Sequence, residues 1–512
     1  MVITPGDPGA HDVLFAVDST TGAHPISPYI YGTNGGDLTA EAKGLTLTRV
    51  GGNRLTAYNW ETNASNAGSD YNYENDDFLS SSSVAGAPMK QAAQTASDNG
   101  ASIIMTVPIA GWVSANENGP CPSMPTQAQI AQNFFPILPQ KGSAYAYPPD
   151  LNDGKVYADE FVHWLESQFP NAQTDPKRRI FYMLDNEPDL WSSTHSEIHP
   201  SAVTYAELVQ KSTDFATGIK KAAPDALVFG PVDYGWEGYL TLQNAPDASG
   251  RDWIDFYLDS MKAAEQTAGK RLVDVLDVHW YPEATGGGVR ITDDGTGAAE
   301  VDARLQAPRS LWDMSYVETS WITQDTLNNG AIYLIPRLLQ KIQQHYPGTK
   351  LSISEYNYGA GGDISGGLAE ADVLGVFGAQ GLFAAAMWPL DSTSPFIFAG
   401  FALYRNYDGQ GATFGDTSIT LNDSDTAKTS AYASVSSSDG TNVIVVAVNK
   451  ETTALNAGIT LKHTAQLNAA DVYVLTSAQP SPKKGSGLTA VATNAFLYSM
   501  PPRSATTLVF HP

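Results

Sequence analysis

Two glutamates stand where paired carboxylates can do chemistry. One closes the run Leu184-Asp185-Asn186-Glu187-Pro188, the other the run Ser352-Ile353-Ser354-Glu355-Tyr356. Each follows a short apolar stretch of strand type. A carboxylate at such a strand end must be paired, hydrogen-bonded or functional. Two of them across one cleft fit glycoside hydrolysis, in which one carboxylic acid protonates the leaving oxygen and the other carboxylate attacks the anomeric carbon. A separation of about 5–5.5 Å gives retention of configuration. Period-two geometry puts Glu187 on the face of Met183 and Asp185, and Glu355 on the face of Leu351 and Ile353. The pattern by itself leaves the two roles unassigned, and a structural pair of salt-bridged glutamates is the alternative.

Eight short apolar runs can carry these acids: 28–34, 46–53, 101–108, 179–188, 227–235, 275–283, 350–359 and 382–390. Helix-like stretches lie between several of them, at 89–99, 158–168, 205–222, 253–268 and 331–345. Strands buried on both faces and alternating with helices predict a parallel sheet. Eight such units predict an α/β fold of the (β/α)8, TIM-like barrel type over 26–412, with reactive residues at the C-terminal strand ends. An open α/β sheet is the runner-up. From residue 413 the texture turns to strand-like alternation, at 430–437, 443–450, 457–463, 471–477 and 504–510. These predict an all-β sandwich over 413–512, completed by residues 1–25, because segment 12–16 has strand character.

Composition narrows the partners. The 29 basic against 54 acidic residues give a net charge of −25, which excludes a phosphate-binding surface and hence nucleic acid. It suits a protein acting on a neutral ligand, although solubility alone also accounts for it. No run of 18 apolar residues predicts a membrane span. Cys121 is the single cysteine, so neither an intrachain disulfide nor a thiolate metal cluster can form. The N-terminal MVITPGDPGAHD lacks the charged and apolar regions of a signal peptide. An exported protein would therefore have lost its leader, with Met1 an added start.

The motifs SPYIYGTN (27–34), RVGGNRLTAYNWETNASNAGSDY (49–71), DNEPDLW (185–191), THSEIHP (194–200), DVHWYPE (277–283) and SISEYNYG (352–359) resemble glycoside hydrolase family 44, the endoglucanases and xyloglucanases. They run in order along the whole predicted barrel. The resemblance implies a TIM-like barrel with a β-sandwich and a retaining endo-β-1,4-glucanase that needs no cofactor for its chemistry. It is expected to be secreted and monomeric, with a β-1,4-glucan polysaccharide as partner. It also implies Glu187 as acid/base and Glu355 as nucleophile. Thr62 and Asp189 depart from the family pattern, where asparagine and alanine are expected. Cellulose-like glucan, xyloglucan, mixed-linkage glucan and xylan are not ranked by composition, since one missing group is worth only about 1–3 kcal/mol of discrimination.

Neighbouring residues take expected roles from these motifs. Arg49 can keep Glu355 a carboxylate through a charge-assisted pair, or form a rim salt bridge. Asn186 can bond the sugar 2-OH or cap a turn. Asn53 joins the substrate-binding set. His279 and Tyr281 are two apart and share a face. His279 is either a ligand contact or a satisfied core histidine, and Tyr281 or Tyr358 can bond the nucleophile. Trp60, Trp112, Trp191, Trp236, Trp280, Trp321 and Trp388 fall in or just after predicted βα loops, and rings there can stack on pyranose faces. Core packing is the competing reading for any one of them. The resemblance makes Trp388-Pro389 a cis bond that orients Trp388 under the sugar.

Glu61, Asp150 and Asp153, with Asp70 and Asp159 nearby, are oxygen-only ligands suited to structural Ca2+, or a solvated acidic face. His195, Glu197 and His199 do not follow the helical HExxH order, and Pro200 argues against a helix, so zinc catalysis is disfavoured. The glycine-rich stretch 359–367 lacks the Lys-Ser/Thr of a phosphate loop and reads as a mobile cleft loop. A non-catalytic glycan-binding protein would share the aromatic cleft, and the glutamate pair separates the two classes.

Overall fold

The computed structural model describes residues 2–35, 44–391 and 393–512, so Met1 lies outside the described residues. Eight parallel strands close into a barrel in chain order: Gly32–Asn34, Leu47–Val50, Ser102–Val107, Ile180–Leu184, Val228–Asp233, Val275–Trp280, Lys350–Tyr356 and Ala384–Met387. Each apolar run of the sequence supplies one strand. Leu47, Ile104, Phe181, Met183, Phe229 and Val275 form one cluster in the barrel, and the opposite strand faces pack against the surrounding helices. A filled interior leaves only the C-terminal rim for polar side chains. None of the described helices is long and apolar enough to cross a membrane.

The five anticipated helices form at Ala87–Asp98, Ala158–Gln168, Tyr205–Ala222, Trp253–Ala268 and Leu334–His345. Ile364–Gln380 and Pro395–Arg405 add two that periodicity does not mark. The first is buried on nearly every side, so it carries no polar stripe to give it away. It also corrects the mobile-loop reading of 359–367. Gly366 and Gly367 lie in its buried first turn, where an added Cβ would come within 2.2 Å of the Ala360 oxygen and 2.5 Å of the Phe396 oxygen. These glycines serve close packing rather than motion.

The C-terminal region builds one large curled sheet of eleven strands. Val13–Asp18 enters it from the N-terminus, antiparallel to Thr417–Asp423 and parallel to Leu455–Lys462. Val443–Asn449 is buried along its full length. Val443, Val445 and Ala447 face the sandwich core, while Ile444, Val446 and Val448 join the barrel's helical core. Two buried faces explain its unbroken apolar sequence. Gln479–Lys484, at one end of the strand order, carries Pro480 and Pro482. Proline is tolerated at an edge because no ladder bond is lost there.

A buried charge pair joins the two layers. Lys450 from the sandwich lies 3.0 Å from Asp372 on helix Ile364–Gln380, with both side chains 2% exposed. Ser430 Oγ donates to Asp372 at 2.8 Å, and the Tyr432 hydroxyl donates to its other oxygen. Removing one partner leaves an uncompensated buried charge. Asp372→Ala is therefore expected to destabilise the protein by about 3–5 kcal/mol, read as a lowered midpoint in thermal or urea melts. A melt within error of the parent's would refute this role.

Candidate active site

The fourth barrel strand ends at Leu184, and the next residues do not continue it. Asp185 and Glu187 turn into left-handed backbone at φ 69° and 42°. Such geometry is uncommon outside glycine and costs of order 1 kcal/mol or more per residue. Surrounding hydrogen bonds hold it. The buried Asp185 carboxylate accepts from Thr56 Oγ1 at 2.6 Å and from the backbone N–H groups of Asn186, Ile109 and Ala110. The Glu187 N–H donates to the Val232 oxygen at 3.1 Å. Asp185 thus fixes the turn, and Glu187 emerges at the rim with 16% of its side chain exposed. The expected continuation of strand alternation past Leu184 is corrected here.

The second glutamate needs a different correction. Leu351 and Ile353 pack outward into the helical core, whereas the Ser354 hydroxyl donates to Asp277 at 2.6 Å. The ladder slips between Val278 and His279, so that Val278 pairs with Ile353 but His279 with Glu355. A bulge places two consecutive residues on one side. It turns Glu355 inward, off the face of Leu351 and Ile353, and sets it opposite His279.

Arg49 lies between the two acids, fully buried at 0% exposure. Its Nη1 donates to Glu355 Oε1 at 2.6 Å and to Asn34 Oδ1 at 3.0 Å, and its Nη2 donates to Asn186 Oδ1 at 2.7 Å. Gly51 gives the guanidinium room, since a Cβ there would fall 2.3 Å from Arg49 Cζ. On the other side Tyr281 donates its hydroxyl to Glu355 Oε2 at 2.9 Å. His279 Nδ1 lies 2.9 Å from Glu187 Oε1 and 3.5 Å from Glu355 Oε2. One ligand-type atom from each of Glu187, His279 and Glu355 lies within 4.8 Å of the others.

Electrostatics separates the two carboxyls. Burial pushes Glu187 up to about 7, with Arg49 opposing and Asp70 adding to the rise. Burial drives His279 down to about 3 despite the Glu355 charge, so its imidazole is neutral. Glu355, by contrast, receives a guanidinium and a phenol on its two oxygens. One carboxyl is thereby suited to carry a proton near neutral pH and the other is oriented by two donors, the division of environments that acid/base and nucleophile require.

Two cavities meet at Glu187. The larger, about 540 Å³, is lined by Gly52, Asn53, Asp70, Tyr71, Phe78, Asn186, Glu355 and Trp388. The smaller, about 210 Å³, is lined by Tyr234, Trp236, Trp280, Tyr281 and Trp321. Asn53, Asn186, Tyr281, Trp321 and Trp388 are therefore brought together, and His279 sits behind them. Three expected contacts are not. Trp60 is buried against Trp164 at a ring separation of 5.6 Å. Trp191 is buried beside His199. Tyr358 is buried, and its hydroxyl makes no bond to Glu355. All three are large rings drawn into the core by the apolar area they bury. Trp112 likewise packs against the core. The Trp388–Pro389 bond is trans; among the described residues the cis bonds are Tyr147–Pro148 and Gly230–Pro231. Trp388 is placed instead by its backbone N–H, which donates to the Tyr356 oxygen, and by Gly52, where a Cβ would meet the ring at 2.6 Å.

Tyr71 and Phe78 also line the larger cavity, and the sequence reading does not single them out. Both are exposed, and Arg54 stacks on Phe78 at 4.3 Å. Their signal is an aromatic pair in a polar stretch, 68–83, with no helix or strand period to bury it. Asp189, the departure from the family pattern, is buried and accepts the Tyr234 N–H, bracing the wall of the smaller cavity.

The acidic residues assigned to calcium share one neighbourhood, close enough for Asp153, Glu160 and Asp150 to act on Glu61. Burial, together with Asp153, Glu160 and Asp150, pushes Glu61 up to about 8. Asp150 and Asp153 are exposed and bond their own turns at Asn152 and Lys155. The zinc reading finds no support: His195 pairs with Glu197, while His199 pairs with Glu207.

The profile described as glycoside hydrolase family 44 matches residues 64–284. Endoglucanase A of Paenibacillus lautus is 41% identical over 511 residues, covering 97% of this chain and 72% of that protein. Beta-mannanase/endoglucanase A of Caldicellulosiruptor saccharolyticus is 39% identical, covering 96% of this chain and 38% of that longer protein. A solved structure of a Paenibacillus polymyxa xyloglucanase from family 44, with xyloglucan, superposes with a TM-score of 0.93 at 39% identity, covering 98% of this chain and 99% of that one. Full-length likeness in sequence and fold, around a rim with two opposed glutamates, makes this chain a glycoside hydrolase that belongs to glycoside hydrolase family 44.

Proposed function

We propose that this enzyme is a retaining endo-β-1,4-glucanase acting on cellulose-like β-glucans, with xyloglucan and xylan as further substrates. The observation that carries the reading is the opposed pair Glu187 and Glu355, whose nearest oxygens lie within 4.8 Å with a neutral His279 between them. That closeness suits direct attack on the sugar by one carboxylate, the retaining arrangement. In the first step Glu355 attacks the anomeric carbon while Glu187 gives its proton to the leaving oxygen. A glycosyl ester forms on Glu355 as the glycosidic bond breaks. In the second, Glu187, now a carboxylate, takes a proton from water as that water attacks the same carbon and frees Glu355. Arg49 and Tyr281 orient the nucleophile. A cleft continuing on both sides of Glu187 admits an internal chain segment, which supports endo action, and the names of the relatives support glucan. A polymeric substrate also supports work outside the cell.

We further infer a structural calcium held by Glu61 with Asp150 and Asp153. The buried Glu61 carboxyl and the unpartnered, buried Glu160 Oε2 support this. Calcium would supply charge neutralisation there and take no part in the chemistry.

Glu187→Gln should lower turnover on unactivated glucan by about 10²–10⁴-fold. Glu355→Gln should abolish it while sparing binding, and wild-type products should appear first in the substrate's anomeric configuration by NMR. Substantial activity in Glu355→Gln, or inverted products, would refute the assignment. The acid step needs protonated Glu187, so kcat/KM should fall as pH rises through about 7; a flat profile from pH 6 to about 9 argues against it. Chelation should lower the melting temperature, and calcium at a hundred times its Kd should restore about 2.7 kcal/mol. Identical melts with and without chelator would remove the metal.

A further inference from the structure

The segment 194–200 carries two histidines and a glutamate that hydrolysis does not use. His195 and Glu197 are both at 0% exposure. His195 Nδ1 lies 2.7 Å from Glu197 Oε1, and Nε2 lies 2.8 Å from the backbone oxygen of Asn53. A backbone carbonyl can only accept, so Nε2 donates. An ionised carboxylate also only accepts, so Nδ1 donates too. A ring that donates from both nitrogens is an imidazolium.

The surroundings agree with a positive ring. Glu197 faces it from its own loop and Asp185 from the end of the fourth strand. The turn Gly68–Tyr71 closes a third side, where a Cβ on Gly68 would come 3.0 Å from Nδ1 and 1.9 Å from the Thr194 oxygen. Burial alone would lower the affinity of the ring for its second proton, and Glu197, Asn53 and Asp185 outweigh it.

The Asn53 carbonyl is a consequential anchor. The Asn53 amide donates to Asp70 Oδ2 at 2.9 Å and its Oδ1 accepts from Asn186 at 3.1 Å. These three side chains form one wall of the larger cavity. Asn186 in turn accepts from Arg49, which holds Glu355. The chain of hydrogen bonds therefore runs from a buried ion pair to the site wall.

We propose that His195, held as an imidazolium between Glu197 and the Asn53 carbonyl, is a positioning residue for the sugar-binding wall of Asn53, Asp70 and Asn186. The proposal rests on the glucanase reading for its kinetic part only. In protein labelled with [15N]histidine, His195 should show both ring nitrogens protonated at neutral pH, above the range of an ordinary histidine, and Glu197→Gln should convert it to a neutral ring with one proton. A neutral His195 in the wild type at pH 7 overturns the proposal. His195→Gln should raise KM on soluble β-glucan about tenfold, as for loss of one charge-assisted bond, with kcat changed less than about threefold. An unchanged KM in a folded variant overturns the positioning role. Where His195→Gln fails to fold, Glu197→Gln carries the same kinetic test. A wild type inert on every glucan would refute the hydrolytic reading and leave the spectroscopic result to stand alone.

Discussion

The structure of the rim depends on one buried guanidinium. Arg49 carries a full charge at no exposure, which is tolerable only when its donors meet matched acceptors. Asn34, Asn186, Glu355 and the Met183 sulfur supply them. These four partners come from the ends of the first, fourth and seventh strands, and Arg49 itself from the second. One side chain therefore ties half of the barrel mouth together. Glu355 and the asparagine beside Glu187 meet at the same cation. Stability and the proposed chemistry share this contact, because a charge buried at such cost also orients Glu355.

The second glutamate is brought to that cation by an irregularity, and the first by a strained turn. Both devices make the same kind of exchange. A bulge gives up ladder regularity to rotate Glu355 by one face. Left-handed backbone at Asp185 and Glu187 accepts local strain, which four hydrogen bonds to the Asp185 carboxylate offset. Regular strands would have placed one acid in the helical core and the other inside the barrel.

This explains what the sequence could disclose. The barrel was legible because its strands are buried on both faces and sit in short apolar runs, and because the helices between them are amphipathic. The strand at Val13–Asp18 was legible from the strand character of residues 12–16. Helix Ile364–Gln380 was not, because contact on every side erases the polar stripe that marks a helix. The acids themselves were legible by type and motif, but the face of Glu355 was not, since a bulge leaves no mark on a period-two count. Among the aromatics, position after a strand did not distinguish Trp388, which lines the cleft, from Trp60 and Trp191, which are buried. A ring in a loop can fold back onto a helix, as Trp60 does on Trp164.

The pairing of Val13–Asp18 with two strands near the far end of the chain has a bearing on biosynthesis. Its partners, Thr417–Asp423 and Leu455–Lys462, are made about 400 residues later, roughly 20–80 s at ribosomal rates of 5–20 residues per second. For that interval the apolar Val13, Phe15 and Val17 have no sheet to join, while the eight barrel strands emerge in the order in which they neighbour one another. The barrel can thus assemble progressively during translation, and Val13–Asp18, translated before all of it, is among the last to find its place. A short alternating strand, flanked by Asp12 and Asp18, is well suited to wait, because charges at its ends discourage pairing with other chains.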